Sequence, residues 1–103
     1  MIGVQTCALP ISSDDGFISA LGQALDAIDR FDPGVIVVSL GVDTHERDPI
    51  GDFLVTTEAY QVHGSMVAAL ERPLVILQEG GYHVPSLGEN VRQWLTGAAS
   101  ASS

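Results

Sequence analysis

At 103 residues the chain holds one domain at most, and 46% apolar against 17% charged residues marks it as packed rather than disordered. Thirteen Asp and Glu stand against four arginines and no lysine, a formal charge of −9 that repels nucleic-acid backbones and concentrates cationic ligands, although such acidity also serves solubility alone. No apolar run approaches the roughly 18 residues of a membrane span, Met1 to Ser12 lacks the basic start of a signal peptide, and the single Cys7 excludes an internal disulfide, so the expected setting is the cytoplasm with no membrane partner.

The opening GVQTCALPI (Gly3 to Ile11) has no helix or strand period continuing into Ser13 and beyond, and it resembles the translation of a sequencing-library adapter, so residues 1–12 are read as foreign to the domain. From Asp14 to Phe31, apolar Phe17, Ile18, Leu21, Leu25 and Ile28 recur at spacings of three and four. Ser13 is available as cap and two aspartates lie in the first turn, which predicts an amphipathic helix. Asp32-Pro33-Gly34 breaks it. The β-branched run Val35 to Val38 shows no polar alternation and fits a strand buried on both faces, as in a parallel sheet.

Leu40 to Val55 is rich in Gly, Asp and Pro and reads as a long loop at the carboxyl end of that strand, a length that points to function. Thr56 or Thr57 is the expected cap of a second helix reaching about Leu70, ended by Arg72-Pro73. Leu74 to Leu77 predicts a second buried strand, and Gly80-Gly81 turns the chain. Ser86-x-x-Glu89 has the form of a capping box for a last helix whose Leu87, Val91, Trp94 and Leu95 share a face before Gly97 closes it. The small, polar residues 99–103 read as a frayed tail.

The order helix, strand, long loop, helix, strand, short loop, helix is a βαβ unit with flanking helices, so the strands are expected parallel with a right-handed crossover. Ligands of open α/β sheets bind beyond the carboxyl ends of the strands, so GVDTHERDPIG (Gly41 to Gly51) and EGGYHVP (Glu79 to Pro85) are expected to face one crevice.

Asp43 follows a buried strand, where a carboxylate is presented from a rigid element as a metal ligand requires. An aspartate in a Gly- and Pro-rich loop also caps turns, and local spacing alone favours that. His45, two residues on, shares a face with Asp43 in an extended segment and could reach the same ion, but a solvated or supporting histidine is the commoner outcome. Tyr82 follows two glycines that let a phenol approach a substrate and donate to a developing oxyanion. A tyrosine packed under the turn fits the spacing as well. His63 and His83 sit in no recognisable ligand pattern. There is no phosphate-binding glycine motif, Glu79 and Glu89 would oppose an anion, and no G-x-S-x-G occurs.

VVSLGVDTHERDPIG and ILQEGGYHVPSLGENV, separated by the second helix, together resemble the histone deacetylase and acetylpolyamine amidohydrolase superfamily, the acetylpolyamine amidohydrolases and their bacterial relatives above all. The resemblance covers Ser13 to Ala98. It implies an α/β fold, a fragment of an arginase/deacetylase-type parallel sheet with flanking helices, in which residues 13–98 are the carboxy-terminal part of the catalytic domain. It further implies that Asp43 is one of three Zn2+ ligands and that Tyr82 polarises the substrate carbonyl. His45, Asp48, Gly80 and Gly81 are then supporting loop positions. Ile50 lies at a rim position where some polyamine-selective relatives place a glutamate.

The remaining zinc ligands and the paired histidines that handle protons lie upstream in that family and are not in this sequence. The implied function is therefore a fragment of a zinc-dependent deacetylase, inactive alone, acting when complete on an acetylated polyamine or an acetyl-lysine peptide. The alternative is a non-catalytic α/β binding module without metal.

Overall fold

The computed structural model describes residues 13–102, so the adapter reading falls outside the described residues. Five elements succeed one another: α1 (Asp14–Phe31), β1 (Ile36–Leu40), α2 (Ala59–Ala68), β2 (Leu74–Gln78) and α3 (Val84–Ser102).

In α1 the Ser13 side chain accepts from the Gly16 amide, and Asp14 and Asp15 lie in the positive first turn. Leu25 is buried, with Phe17, Leu21 and Ile28 packed against the same core. The helix stops at Asp32, in the left-handed region at φ 60°, whose amide donates back to Ile28 and Asp29. Arg72 fixes that stop from outside, donating to Asp29 at 2.8 Å, Asp32 at 2.7 Å and the Pro33 carbonyl at 2.9 Å. Both carboxylates are largely exposed, so water screens each pair and its contribution to stability is small.

β1 and β2 pair in parallel, with Ile36 opposite Leu74 and Leu40 opposite Gln78. Burial on both strand faces, expected from the unbroken apolar runs, is corrected. Leu40, Val38, Leu74 and Ile76 join the core made with the helices, while Val37, Val75 and Leu77 on the opposite face are about half exposed. Side chains alternate along a strand, and α1, α2 and α3 all contribute to the core on the same face, so no described element covers the other.

The threonines do not cap α2. Its N-cap position is Glu58, with no side-chain cap, because both threonines are engaged elsewhere. The Thr56 amide and hydroxyl donate to the Asp14 carboxylate at 2.9 and 2.8 Å, tying the start of α1 to the entry of α2, and Thr57 pairs with His45. At its other end α2 stops at Ala68, before Glu71 turns left-handed at φ 59° ahead of Arg72-Pro73.

α2 and α3 pack backbone to backbone. A Cβ on Gly64 would fall 2.0 Å from the Trp94 carbonyl oxygen, and one on Gly97 would fall 1.9 Å from that of Gln61. Gly97 is therefore a packing glycine, and the expected helix end there is corrected: α3 runs on to Ser102. The capping box is corrected too. α3 already begins at Val84, so Ser86 lies inside it and pairs with His83 and Asn90, while Glu89 accepts from Arg92 and Gln93. Leu87, Val91 and Trp94 meet the core, whereas Leu95 points outward. Among the described residues no helix is long and apolar enough to cross a membrane.

His63, on α2, is 3% exposed, stacks on Phe17 at 4.6 Å and meets Tyr60 edge-on, with its Nε2 unpartnered among the described residues. Burial holds its pKa below the ordinary 6.5, against the raising influence of Asp14. The unfolded chain thus takes up this proton before the folded one does, so stability falls as pH drops through about 6.5 toward the folded value, by at most ~1.4 kcal/mol per pH unit for this group. Urea unfolding between pH 7.5 and 5 is expected to show that loss, and His63→Leu to flatten it; an unchanged slope in the variant would refute the assignment.

Candidate active site

The parallel pairing does not stop at the strand ends. The Glu79 amide donates to Leu40 at 2.7 Å and the Val42 amide donates to Gly80 at 2.9 Å, so the two loops leave the sheet side by side. Asp43 and Tyr82 are the residues these bonds deliver. A Cβ on Gly80 would lie 2.6 Å from Oδ2 of Asp43 and 3.3 Å from Cε2 of Tyr82, so carboxylate and phenol ring both border the space that a side chain at Gly80 would fill. On the other side, a Cβ on Gly41 would fall 2.9 Å from Oδ1 of Asp43. Gly81, at φ 148°, adopts a backbone that L side chains avoid, and a Cβ there would strike Val42 and Leu87. Among the described residues no hydrogen bond or ion pair ends on the Asp43 carboxylate or on the half-exposed Tyr82 hydroxyl. Both are left available to a ligand.

The residues around this pair are, by contrast, fully engaged. His45 is buried, and the Arg47 amide donates to its Nδ1 at 3.2 Å. Nδ1 must then be the bare acceptor, so Nε2 carries the proton and donates to Thr57 at 3.0 Å. Both nitrogens are used, and burial holds the imidazole pKa below 6.5, reinforced by His83 and Arg47 and opposed by Glu46 and Asp48. In this arrangement His45 has no free lone pair for a metal. His83 lies alongside it with ring centroids 5.9 Å apart, its Nδ1 paired with Ser86 at 2.7 Å.

Asp48 is buried as well. One oxygen accepts from the amides of Ile50 and Gly51 at 2.8 and 3.0 Å, and the other accepts from the Tyr82 amide at 2.8 Å. Burial alone would raise its pKa, but the amides of Tyr82, Ile50 and Gly51 outweigh it and keep the carboxyl below 3.8. Ile50, at the tip of that turn, is 69% exposed.

Tyr60, buried on α2, belongs to the site although the sequence analysis did not single it out. Its hydroxyl lies 2.7 Å from the Thr44 hydroxyl and 3.4 Å from the Val42 carbonyl, so it grips the residues on both sides of Asp43. Burial pushes this phenol up to about 12, with the Thr44 bond opposing and the charges of Asp43, Asp48 and Asp14 adding to the rise, which keeps it neutral. The available signal was general: a tyrosine on the buried side of a helix needs a partner for its hydroxyl.

For a metal, Asp43 has the right chemistry, an uncommitted carboxylate in a cradle kept open by glycines. It stands alone, because the described residues contain no group of three His, Cys, Asp or Glu able to hold an ion.

The chain is thus an α/β segment whose two loops leave the carboxyl edge of a parallel sheet and bring the Asp43 carboxylate and the Tyr82 ring to Gly80. The chain belongs to the histone deacetylase family: the histone deacetylase domain model matches residues 4–98. It is 41% identical over 86 residues to the acetylpolyamine amidohydrolase of Burkholderia pseudomallei, covering 84% of this chain and 25% of that protein. It is 48% identical over 80 residues to the acetylpolyamine amidohydrolase of Mycoplana ramosa, covering 78% and 24%. The crystal structure of the Burkholderia acetylpolyamine aminohydrolase superposes with a TM-score of 0.84 at 39% identity over 87% of this chain and 26% of that one, and the fold is accordingly of the arginase/deacetylase type. The chain thus spans about a quarter of the length of these relatives.

The cradle makes a test of its own. Gly80→Ala drives a methyl group into the Asp43 carboxylate and is expected to cost about 1–3 kcal/mol. Gly88→Ala, in α3 with nothing within 4 Å, is expected to add about 0.5–1 kcal/mol. Urea denaturation of the two variants should move in opposite directions.

Proposed function

We propose that this chain is the part of a zinc-dependent amidohydrolase that supplies one metal ligand, Asp43, and the carbonyl-polarising phenol, Tyr82, for hydrolysis of an acetamide. The observation that supports this most directly is that both side chains border the space over Gly80, with the carboxylate unpartnered among the described residues. When bound, the metal supplies Lewis-acid polarisation and a more acidic water.

Tyr82 donates its O–H to the carbonyl oxygen as that atom gains negative charge, an interaction that strengthens toward the transition state. Tyr60 and Thr44 hold the main chain around Asp43 so that its carboxylate does not swing away. His45, already committed to Thr57 and Arg47, supports this loop and takes no part in ligation. The substrate class is an acetylated polyamine, in keeping with the names of both relatives and with a charge of −9 that concentrates cations, or an acetyl-lysine peptide of like charge. Ile50 stands exposed at the rim and offers apolar contact to the substrate's methylene chain. We assign the reaction to the cytoplasm, the setting expected from the sequence.

Alone, the chain is expected to hold no stoichiometric zinc and to show no deacetylation, since one carboxylate cannot build a closed site. Metal analysis finding one zinc per isolated chain would overturn this. Grafting residues 13–98 into the Burkholderia enzyme in place of the segment they match should give a hybrid that deacetylates acetylpolyamines. Tyr82→Phe in that hybrid should lower kcat on the order of 10²- to 10³-fold. Full activity of the variant would remove Tyr82 from its role, and an inactive, folded, zinc-free hybrid would favour a binding module.

A further inference from the structure

Among the described residues nothing hydrogen-bonds the Tyr82 hydroxyl, and Tyr82 comes directly after two glycines, so its position depends on what holds its main chain. Among the described residues one side chain does so. Asp48 accepts the Tyr82 amide with one oxygen while the other closes the turn through Ile50 and Gly51. That turn is itself pressed onto the ligand candidate, since a Cβ on Gly51 would fall 2.1 Å from the Asp43 carbonyl oxygen. The Asp48 amide donates to the His45 carbonyl at 3.0 Å, which seats the carboxylate from the same loop. An unbroken run of contacts therefore joins Tyr82 to Asp43 through one buried carboxylate that has no cation partner among the described ion pairs.

We propose that Asp48 is the positioning residue of the site, a buried carboxylate that sets the Tyr82 phenol against Asp43 by binding the main chain of both loops. The inference rests on the deacetylase reading for its catalytic meaning and on the hydrogen bonds alone for its structural one. A carboxylate suits the task because it only accepts, and it faces three N–H donors. Asparagine has the same shape but presents an N–H2 toward one set of these donors, so either the turn or the Tyr82 amide loses its acceptor.

The test is amide hydrogen exchange on the 103-residue chain, wild type against Asp48→Asn. Loss of a charge-assisted bond is expected to speed exchange at Tyr82 on the order of tenfold or more, while the amides of β1 and β2 change little. No acceleration at Tyr82, or equal acceleration throughout the sheet, overturns the proposal, because a residue needed only for general stability would loosen every element together. In the hybrid enzyme the same variant should lower kcat roughly tenfold or more with KM nearly unchanged, the signature of a lost transition-state interaction. A hybrid variant with undiminished kcat also overturns it. If the parent hybrid is inactive, the deacetylase reading fails, and the exchange result by itself decides whether Asp48 couples the loops.

Discussion

The parallel pairing of β1 with β2, carried one step beyond the strands by the bonds from Glu79 to Leu40 and from Val42 to Gly80, is the constraint on which the site depends. Parallel strands send their continuations off the same edge. Two loops separated by α2 in sequence therefore start a strand spacing apart. Each then needs only a few residues to bring a side chain to a common point, and glycines at 41, 80 and 81 remove the bulk that would keep those side chains apart.

What the sheet brings together, buried polar groups hold. The long loop after β1 is anchored in the core by Val42 and Val55, and between these anchors its turns are held by Asp48, by the neutral imidazole of His45, and by the Thr44 and Tyr60 hydroxyls. Each satisfies several donors or acceptors at once. Asp43 and Tyr82 are the exceptions. A group that must bind something else cannot also be consumed by the scaffold.

Much of this was legible beforehand. Periodicity and the cap at Ser13 located α1 to the residue, the β-branched run located β1, and the paired motifs placed Asp43 and Tyr82 beyond neighbouring strands. The errors at helix ends arise where a residue with a local end signal is claimed by another partner. Thr56, Thr57 and Gly97 carry local signals for helix ends but are claimed by partners that sequence distance hides, Asp14, His45 and Gln61, while Ser86 and Glu89 lie inside a helix that starts earlier and pair with Asn90, Arg92 and Gln93 about one turn on. The two-faced burial expected of the strands failed for a different reason. An apolar run reports that a surface avoids water and says nothing about which element supplies the cover.

The crowded glycines also determine which mistakes in this chain can be repaired. At Gly80 a new side chain would strike the Asp43 carboxylate, a side chain that a second substitution could shorten, whereas at Gly81 shortening Val42 or Leu87 would still leave an L residue at φ 148°. At Gly51, Gly64 and Gly97 the obstacle is a carbonyl oxygen, which every residue carries. A genetic screen for restored folding should therefore find compensating changes at the contact for Gly80 and none for the other four, where the only way back is glycine.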